Sequence, residues 1–336
     1  MRVSVLCAPG ALAVQQRAVP VPADDEVLVR VGSVGVCRSG IHYYETGRIG
    51  RHVLDRPLVL GHEAAGTVAA SGRAVAGLAC GQRVSVEPGV PCRACVQCLS
   101  GRYNLSPARR FFATPPVDGA FCEYVCLPAP FVHPVPEGLS DDAAALIEPL
   151  SVGVWACRRA GITAGSRVLV TGAGPIGLLT AQTARAFGAA EVLVTDVNAT
   201  RLALAAELGA RTLDVTTARL AETGYEPDVL LECSGVPEVA AEAIGIVAPA
   251  GRVVLIGMGS DVLALPLSAV QERELWITGA FRYANTWPTA IGLAATGQVQ
   301  LDRLVTGHYG LDEVEQAFTA AHRNPDTVKS IVRPGS

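Results

Sequence analysis

The run RVLVTGAGPIG, residues 167–177, limits what this chain can fold into more than any other feature. An apolar stretch passes into glycines at 172, 174 and 177. PIGLLTAQTARAFGA then continues at helical spacing until a glycine closes it. Strand, glycine turn and helix open a βαβ unit. Gly172-Ala173-Gly174-Pro175-Ile176-Gly177 is a G-x-G-x-x-G pattern, weak alone but here set between a strand and a helix. Asp196 ends the next apolar strand, EVLVTD, at the spacing of about twenty residues seen in dinucleotide sites. Glycines let the backbone approach a pyrophosphate, and the helix N-terminus favours its charge. Asp196 would accept hydrogen bonds from ribose hydroxyls and repel a 2′-phosphate, which reads as NAD rather than NADP. Arg201 would cover the adenine or compete for such a phosphate. The bland alternative is a tight βα turn that merely packs.

The same alternation continues through TRLALAAELGA, PDVLLECSG, AEAIGIVAPAG and RVVLIG. Strands alternating with helices imply a doubly wound parallel sheet. Before residue 150 the character differs. Short runs such as EVLVRVGSV and QRVSVEP stand between turn residues and read as β. The N-terminus, MRVSVLCAPGALAVQQR, has the look of a weak signal peptide, but Pro9-Gly10 breaks it and suits two short strands around a turn better. The tail from about 284 is too short for a domain and is expected to fold back onto the first part. The expected division is 1–149 and 284–336 as a split β-rich domain, with 150–283 the dinucleotide domain between them, and the active site in the cleft.

Half of the 336 residues are hydrophobic and 17% are charged, enough apolar material for two sizeable cores and too little charge for disorder. A net charge of −4 without a basic stripe argues against nucleic acid, and no apolar run is long enough to span a membrane. The ten cysteines do not pattern as a disulfide framework. Cys7, Cys80, Cys157 and Cys233 are isolated and read as small buried hydrophobes. That usage favours the reducing cytoplasm, where clustered cysteines suggest metal.

Three patches carry metal-type ligands: Cys37 after EVLVRVGSVGV, His62-Glu63 in LGHEAAGTV, and Glu148 in ALIEPLSVG. Singly each is bland: a core cysteine, a satisfied histidine, a solvated glutamate. Glu148 is flanked by apolar residues on both sides, where a carboxylate needs a cation or a strong donor.

Together, Gly61-His62-Glu63, Gly66, Gly72 and Val75 match the GHE-x2-G-x5-G-x2-V pattern, and the chain resembles the zinc-dependent medium-chain dehydrogenase/reductase superfamily. Within it the sequence is most similar to the sorbitol (polyol, xylitol) dehydrogenases, through HYYETGRIG, PLVLGHEAAGTV, VEPG, GRYNLSP, FFATPPVDG, ALIEPLSVG, ACRRAG, GAGPIG and FRYANTWP. The resemblance implies a GroES-like catalytic domain beside a Rossmann NAD domain, and oxidation of a secondary hydroxyl to a ketone. It implies a catalytic zinc on Cys37, His62 and either Glu63 or Glu148, the other glutamate staying close to the zinc-bound water. One open position would take the alcohol oxygen and lower its pKa. It further implies a proton relay through Ser39 and His42, and a polyol pocket of Ile49, Phe111, Thr114, Arg282 and Tyr283. Arg282 also falls on the cofactor side. A dimer or tetramer is expected by resemblance alone. For Ser39 the plain reading is a turn residue, for His42 a surface histidine.

Three departures matter. Cys37-Arg38-Ser39-Gly40 stands where the family runs Cys-Gly-Ser-Asp. Arg38 resembles the residue that contacts the cofactor pyrophosphate in related alcohol dehydrogenases. Gly40 removes an aspartate that would orient the zinc-bound histidine, a loss worth about 10–100-fold in metal affinity or activity. Cys92, Cys95 and Cys98 have C-x2-C-x2-C spacing, but the fourth ligand of a structural zinc falls at Ser106, which leaves that zinc in doubt. Two other readings compete: the same fold acting on a cyclitol, amino alcohol or sugar phosphate, and an NAD-binding protein with weakened catalysis, which Gly40 alone supports.

Overall fold

A computed structural model describes residues 1–335 and divides the chain into two compact units, Met1–Glu148 with Leu301–Ser336, and Pro149–Gln300. The first change of unit falls inside the helix Asp141–Ala160, at Pro149. Proline there removes the amide that would bond the Ala145 carbonyl. The second falls at Gln300–Leu301, beyond residue 284, because the helix Trp287–Ala295 stays with the dinucleotide unit. Trp287 is fully buried there, with its ring edge-on to Tyr283 at 5.0 Å.

The first unit is built on a seven-stranded sheet. Its order is Val132–Pro134, Arg83–Val86, Glu63–Ser71, Glu26–Gly35, Lys329–Arg333 and Val305–Gly310, with Tyr124–Pro128 also on Glu26–Gly35. Glu26–Gly35 and Glu63–Ser71 run antiparallel with two register irregularities, which curl the sheet. Their inward faces, Val27, Val29, Val31, Val34, Ala64 and Val68, meet Phe121 and Phe318 in one core. The tail returns to this unit, pairing Ile331 with Gly35. The N-terminal strands Arg2–Ala8 and Ala11–Gln16 pair across Pro9-Gly10, as the turn signal predicts.

The second unit is a six-stranded parallel sheet. Its order is Arg211–Asp214, Glu191–Asp196, Arg167–Thr171, Val229–Glu232, Arg252–Leu255 and Trp276–Gly279. Near-continuous apolar strands such as RVLVT and EVLVTD are buried on both faces, as helix-covered parallel strands must be. The order reverses between Arg167–Thr171 and Val229–Glu232, which places a crevice at the carboxyl ends of those two strands. The fold is thus the expected α/β pairing of a β-rich unit with a doubly wound one.

One expectation is corrected. Cys157 is buried, but Cys7 and Cys80 are exposed and Cys233 is part-buried. Cys7 falls where the Arg2–Ala8 strand leaves the core, and Cys80 lies in the turn before Arg83–Val86, so neither reaches an apolar interior. No helix among the described residues is long and apolar enough to cross a membrane.

Candidate metal centre and dinucleotide site

The strand Glu26–Gly35 delivers Cys37 as the N-cap of the helix Arg38–Thr46. The neighbouring strand Glu63–Ser71 begins immediately after His62. Strand pairing therefore draws these patches together: Gly35 lies opposite Glu63. One ligand atom each from Cys37, His62 and Glu63 lies within 4.8 Å of the others. His62 is 9% and Glu63 1% exposed, and Cys37 is part-buried, so two of the three ligands are withdrawn from solvent. Glu148, 5% exposed, is not part of that trio.

The glycines of the motif make this geometry possible. A Cβ on Gly35 would stand 1.9 Å from Glu63 Oε2, so the carboxylate occupies the space that this glycine leaves. Gly61 has φ +88°. A Cβ on Gly66 would meet the Arg30 carbonyl oxygen at 2.0 Å, and one on Gly72 the Ala23 carbonyl oxygen at the same distance. The spacing G-H-E-x2-G-x5-G is thus a record of one turn and two close backbone approaches.

The electrostatics of the trio include a residue that the sequence reading missed. Lys329, 3% exposed, donates to Glu63 Oε1 at 2.7 Å and to the Val36 carbonyl at 2.8 Å. Its ammonium also lies 2.5 Å from Glu63 Oε2, but that oxygen has no aligned hydrogen bond among the described residues. A buried carboxylate, a thiol and an imidazole with ligand atoms this close form a donor set that suits a cation. Burial, and then the Glu63 charge, push the Cys37 thiol up, against a downward pull from Lys329. A dication among these groups would remove that conflict, since thiolate and carboxylate together neutralise it. The sequence signals for Lys329 are that it is the one lysine of the chain and that it opens the strand KSIVR.

Ser39 Oγ donates to Cys37 Sγ at 3.2 Å. His42, part-buried, lies three residues on along the same helix and therefore on the same face. Arg38 is exposed in the first helical turn. Gly40 is buried, and a Cβ there would meet Phe318 at 3.6 Å, so this ring stands next to the place of the absent aspartate. Phe111, 6% exposed, has its ring 5.6 Å from that of His62. Thr114 bridges to Val117, and Ile49 lies in the short strand Arg48–Ile49.

The second unit carries the other predicted set. Gly172 has φ +86°, and a Cβ on it would press on Ser234 at 3.1 Å. A Cβ on Gly177 would stand 1.8 Å from the Gly172 carbonyl oxygen, so this glycine lets the helix Pro175–Ala186 pack on its strand. Gly174, the helix N-cap, has open space where its Cβ would be. Pro175 and Ile176 form the first turn. An open approach to a helix N-terminus fits a pyrophosphate. Asp196 Oδ2 accepts from the Ala173 amide at 2.6 Å, and Oδ1 accepts from the Val197 and Asn198 amides at 2.8 and 2.9 Å. The carboxylate therefore braces the glycine loop as well as facing any ribose. The Arg201 amide is capped by Asn198 at 2.9 Å. Arg282 takes φ +53° and lays its guanidinium 5.2 Å from the Phe281 ring centre, while Tyr283 is 2% exposed.

In the exposed lobe, Cys92, Cys95 and Cys98 also offer sulfurs within 4.8 Å of one another. Their fourth neighbour is Ser106, whose Oγ donates to Cys92 Sγ at 3.4 Å.

A family model described as the alcohol dehydrogenase GroES-like domain matches residues 23–137, and one described as zinc-binding dehydrogenase matches residues 175–296. The chain is 43% identical to human sorbitol dehydrogenase over 323 residues, 94% of this chain and 90% of that protein. It superposes on L-idonate 5-dehydrogenase from Escherichia coli with a TM-score of 0.94 at 29% identity, covering 99% of this chain and 98% of that one. A short chain alcohol dehydrogenase from Escherichia coli, solved in complex with cofactor NADH, gives a TM-score of 0.93 at 29% identity, covering 99% of both chains.

Proposed function

The chain belongs to the zinc-binding alcohol dehydrogenase family, and from that premise we propose that it oxidises a secondary hydroxyl of a polyol to a ketone with NAD as acceptor. The observation that carries this reading is the close-set trio of Cys37, His62 and Glu63, whose ligand atoms lie within 4.8 Å of one another. The identity to sorbitol dehydrogenase supports a polyol as substrate. Zinc bound there supplies Lewis acidity at the substrate hydroxyl, and NAD accepts hydride. Cys37 and Glu63 supply the two negative charges that match the dication, and His62 the neutral ligand. Lys329 lies within 2.7 Å of both Glu63 oxygens and so fixes this carboxylate next to the thiol and imidazole. This favours Glu63 as the coordinating carboxylate and leaves Glu148 the supporting place. Ser39, hydrogen-bonded to the Cys37 sulfur, and His42 one turn on would carry the hydroxyl proton outward. Arg282, Tyr283, Thr114, Ile49 and Phe111 remain the proposed polyol contacts. Asp196 bears on NAD against NADP, because a 2′-phosphate would meet its carboxylate.

A homo-oligomer formed through the second unit is part of the proposal. Trp276–Gly279 is an edge strand, and Trp276, Leu267 and Val262 of this unit are 73%, 61% and 76% exposed. Such an edge is a template for pairing with a second copy. A cytoplasmic location agrees with ten cysteines in the free state.

The test is NAD reduction by the zinc-replete protein over sorbitol, xylitol, ribitol, galactitol, a sugar phosphate, a cyclitol and threonine, with and without chelator. Turnover on a polyol that disappears with chelator is the expected result. Turnover on the phosphate or the cyclitol alone would transfer the chemistry to that substrate. NAD binding with no turnover on any member would replace the enzyme reading by that of a weakened NAD-binding protein.

A further inference from the structure

The lobe that carries Cys92, Cys95 and Cys98 joins the paired strands Gly89–Val90 and Arg110–Phe111. Its order rests on contacts that need no metal. Tyr103 donates to Glu87 Oε1 at 2.6 Å, and His133 Nε2 lies 3.0 Å from the other oxygen of this buried carboxylate. The Tyr103 ring stands edge-on to Phe131 at 6.5 Å, and Arg93 covers the same ring at 5.5 Å. Arg109 donates to the Asn104 carbonyl, and Asn104 is 3% exposed.

A closed structural zinc site takes four strong ligands. Here the fourth neighbour is a hydroxyl, already committed twice: Ser106 Oγ donates to Cys92 Sγ and accepts from the Cys92 amide, both at 3.4 Å. The lobe therefore does not fit a structural zinc. What it does bring together is sulfur. Cys98 Sγ lies 3.4 Å from Cys95 Sγ and 3.8 Å from Cys92 Sγ. Cys92 is exposed, and its two partners are part-buried. A bonded pair of sulfurs needs about 2.05 Å, so the sulfurs must close by a further ångström or two on oxidation. The other exposed thiols, Cys7 and Cys80, have no second sulfur beside them among the described contacts.

We propose that Cys92, Cys95 and Cys98 form a peroxide-oxidisable thiol site in which Cys98 is the shared disulfide partner. The Cys92 sulfur attacks the peroxide O–O bond, gaining oxygen as a sulfenic acid and releasing one water. The Cys98 sulfur then attacks the Cys92 sulfur: the S–S bond forms, the S–O bond breaks, and a second water leaves. Overall two thiols give two electrons and two protons to hydrogen peroxide, yielding one disulfide and two waters. Cys95 remains a thiol, placed to exchange onto Cys98.

The test uses the full chain, zinc-replete, exposed to a few equivalents of hydrogen peroxide at neutral pH, alkylated with iodoacetamide and peptide-mapped. The expected product is one disulfide containing Cys98, reversed by dithiothreitol, lost in Cys98→Ser and kept in Cys95→Ser. Two results would overturn the proposal. One is an oxidised wild type with no disulfide at Cys98. The other is a second zinc per chain that survives dialysis against chelator and shields all three thiols from alkylation. Should Cys98→Ser fail to fold, wild-type mapping and zinc content decide the matter alone.

Discussion

The chain gathers metal-type ligands twice, with opposite results. Cys37, His62 and Glu63 come from the ends of two paired strands, are largely buried, and mix sulfur, nitrogen and oxygen. Cys92, Cys95 and Cys98 come from one short loop, are partly exposed, and are all sulfur. The first trio is backed by a buried ammonium, the second by a hydroxyl. Ligand proximity is common to both. What separates them is burial: in a dry site an unmatched carboxylate or thiolate is costly, so an ion has a large effect there, whereas in a wet loop water serves nearly as well.

The sharpest way to break this contrast is at Lys329. Lys329→Met strips the counter-charge from buried Glu63, and breaking a buried pair costs about 3–5 kcal/mol. Urea unfolding of the metal-free protein is expected to show that loss, and zinc to restore much of it, because the ion replaces the ammonium as partner of Glu63. A loss under about 1 kcal/mol would mean that the pair is solvated after all.

Gly40 offers a smaller effect of mixed sign. If position 40 serves as the family resemblance implies, an aspartate there would orient His62, and Gly40→Asp is expected to raise zinc retention by about tenfold, the lower end for such partners. It also sets a carboxylate against Phe318, so stability is expected to fall by about 1–2 kcal/mol. Zinc content after dialysis and a thermal melt read the two effects separately. Equal zinc in both forms would show that this orientation is already supplied elsewhere.

The smallest effect on turnover is expected in the lobe. Ser106→Cys puts a fourth thiol next to Cys92 and completes a four-sulfur cage. The variant should retain one more zinc per chain than the wild type, with polyol turnover within about twofold, since the lobe is already held by Tyr103 and Glu87. Unchanged zinc content would mean that the loop cannot close around an ion.

Much of this was legible along the chain. The doubly wound unit follows from apolar strands alternating with helical runs. The dinucleotide turn follows from three glycines, each with a different steric duty in the structure. The ligand trio was legible only as two separate patches, Cys37 and His62-Glu63, joined by a family pattern. Lys329 escaped because it lies 266 residues from Glu63, and nothing local marks a lysine as a buried partner. Cys7 and Cys80 were misjudged because isolation from other cysteines along the chain does not say whether a thiol reaches an apolar interior.

By itself, the sequence determined the local chemistry: which stretches pair or coil, where the backbone must take left-handed or crowded positions, and which residue types can hold a cation or a ribose. Those properties depend on neighbours within a few residues. The tertiary structure alone brought Glu63 beside Cys37 and His62, set Lys329 behind it, and left the second cysteine cluster more exposed than the first. Those outcomes depend on solvent exclusion and on charges brought together from distant parts of the chain.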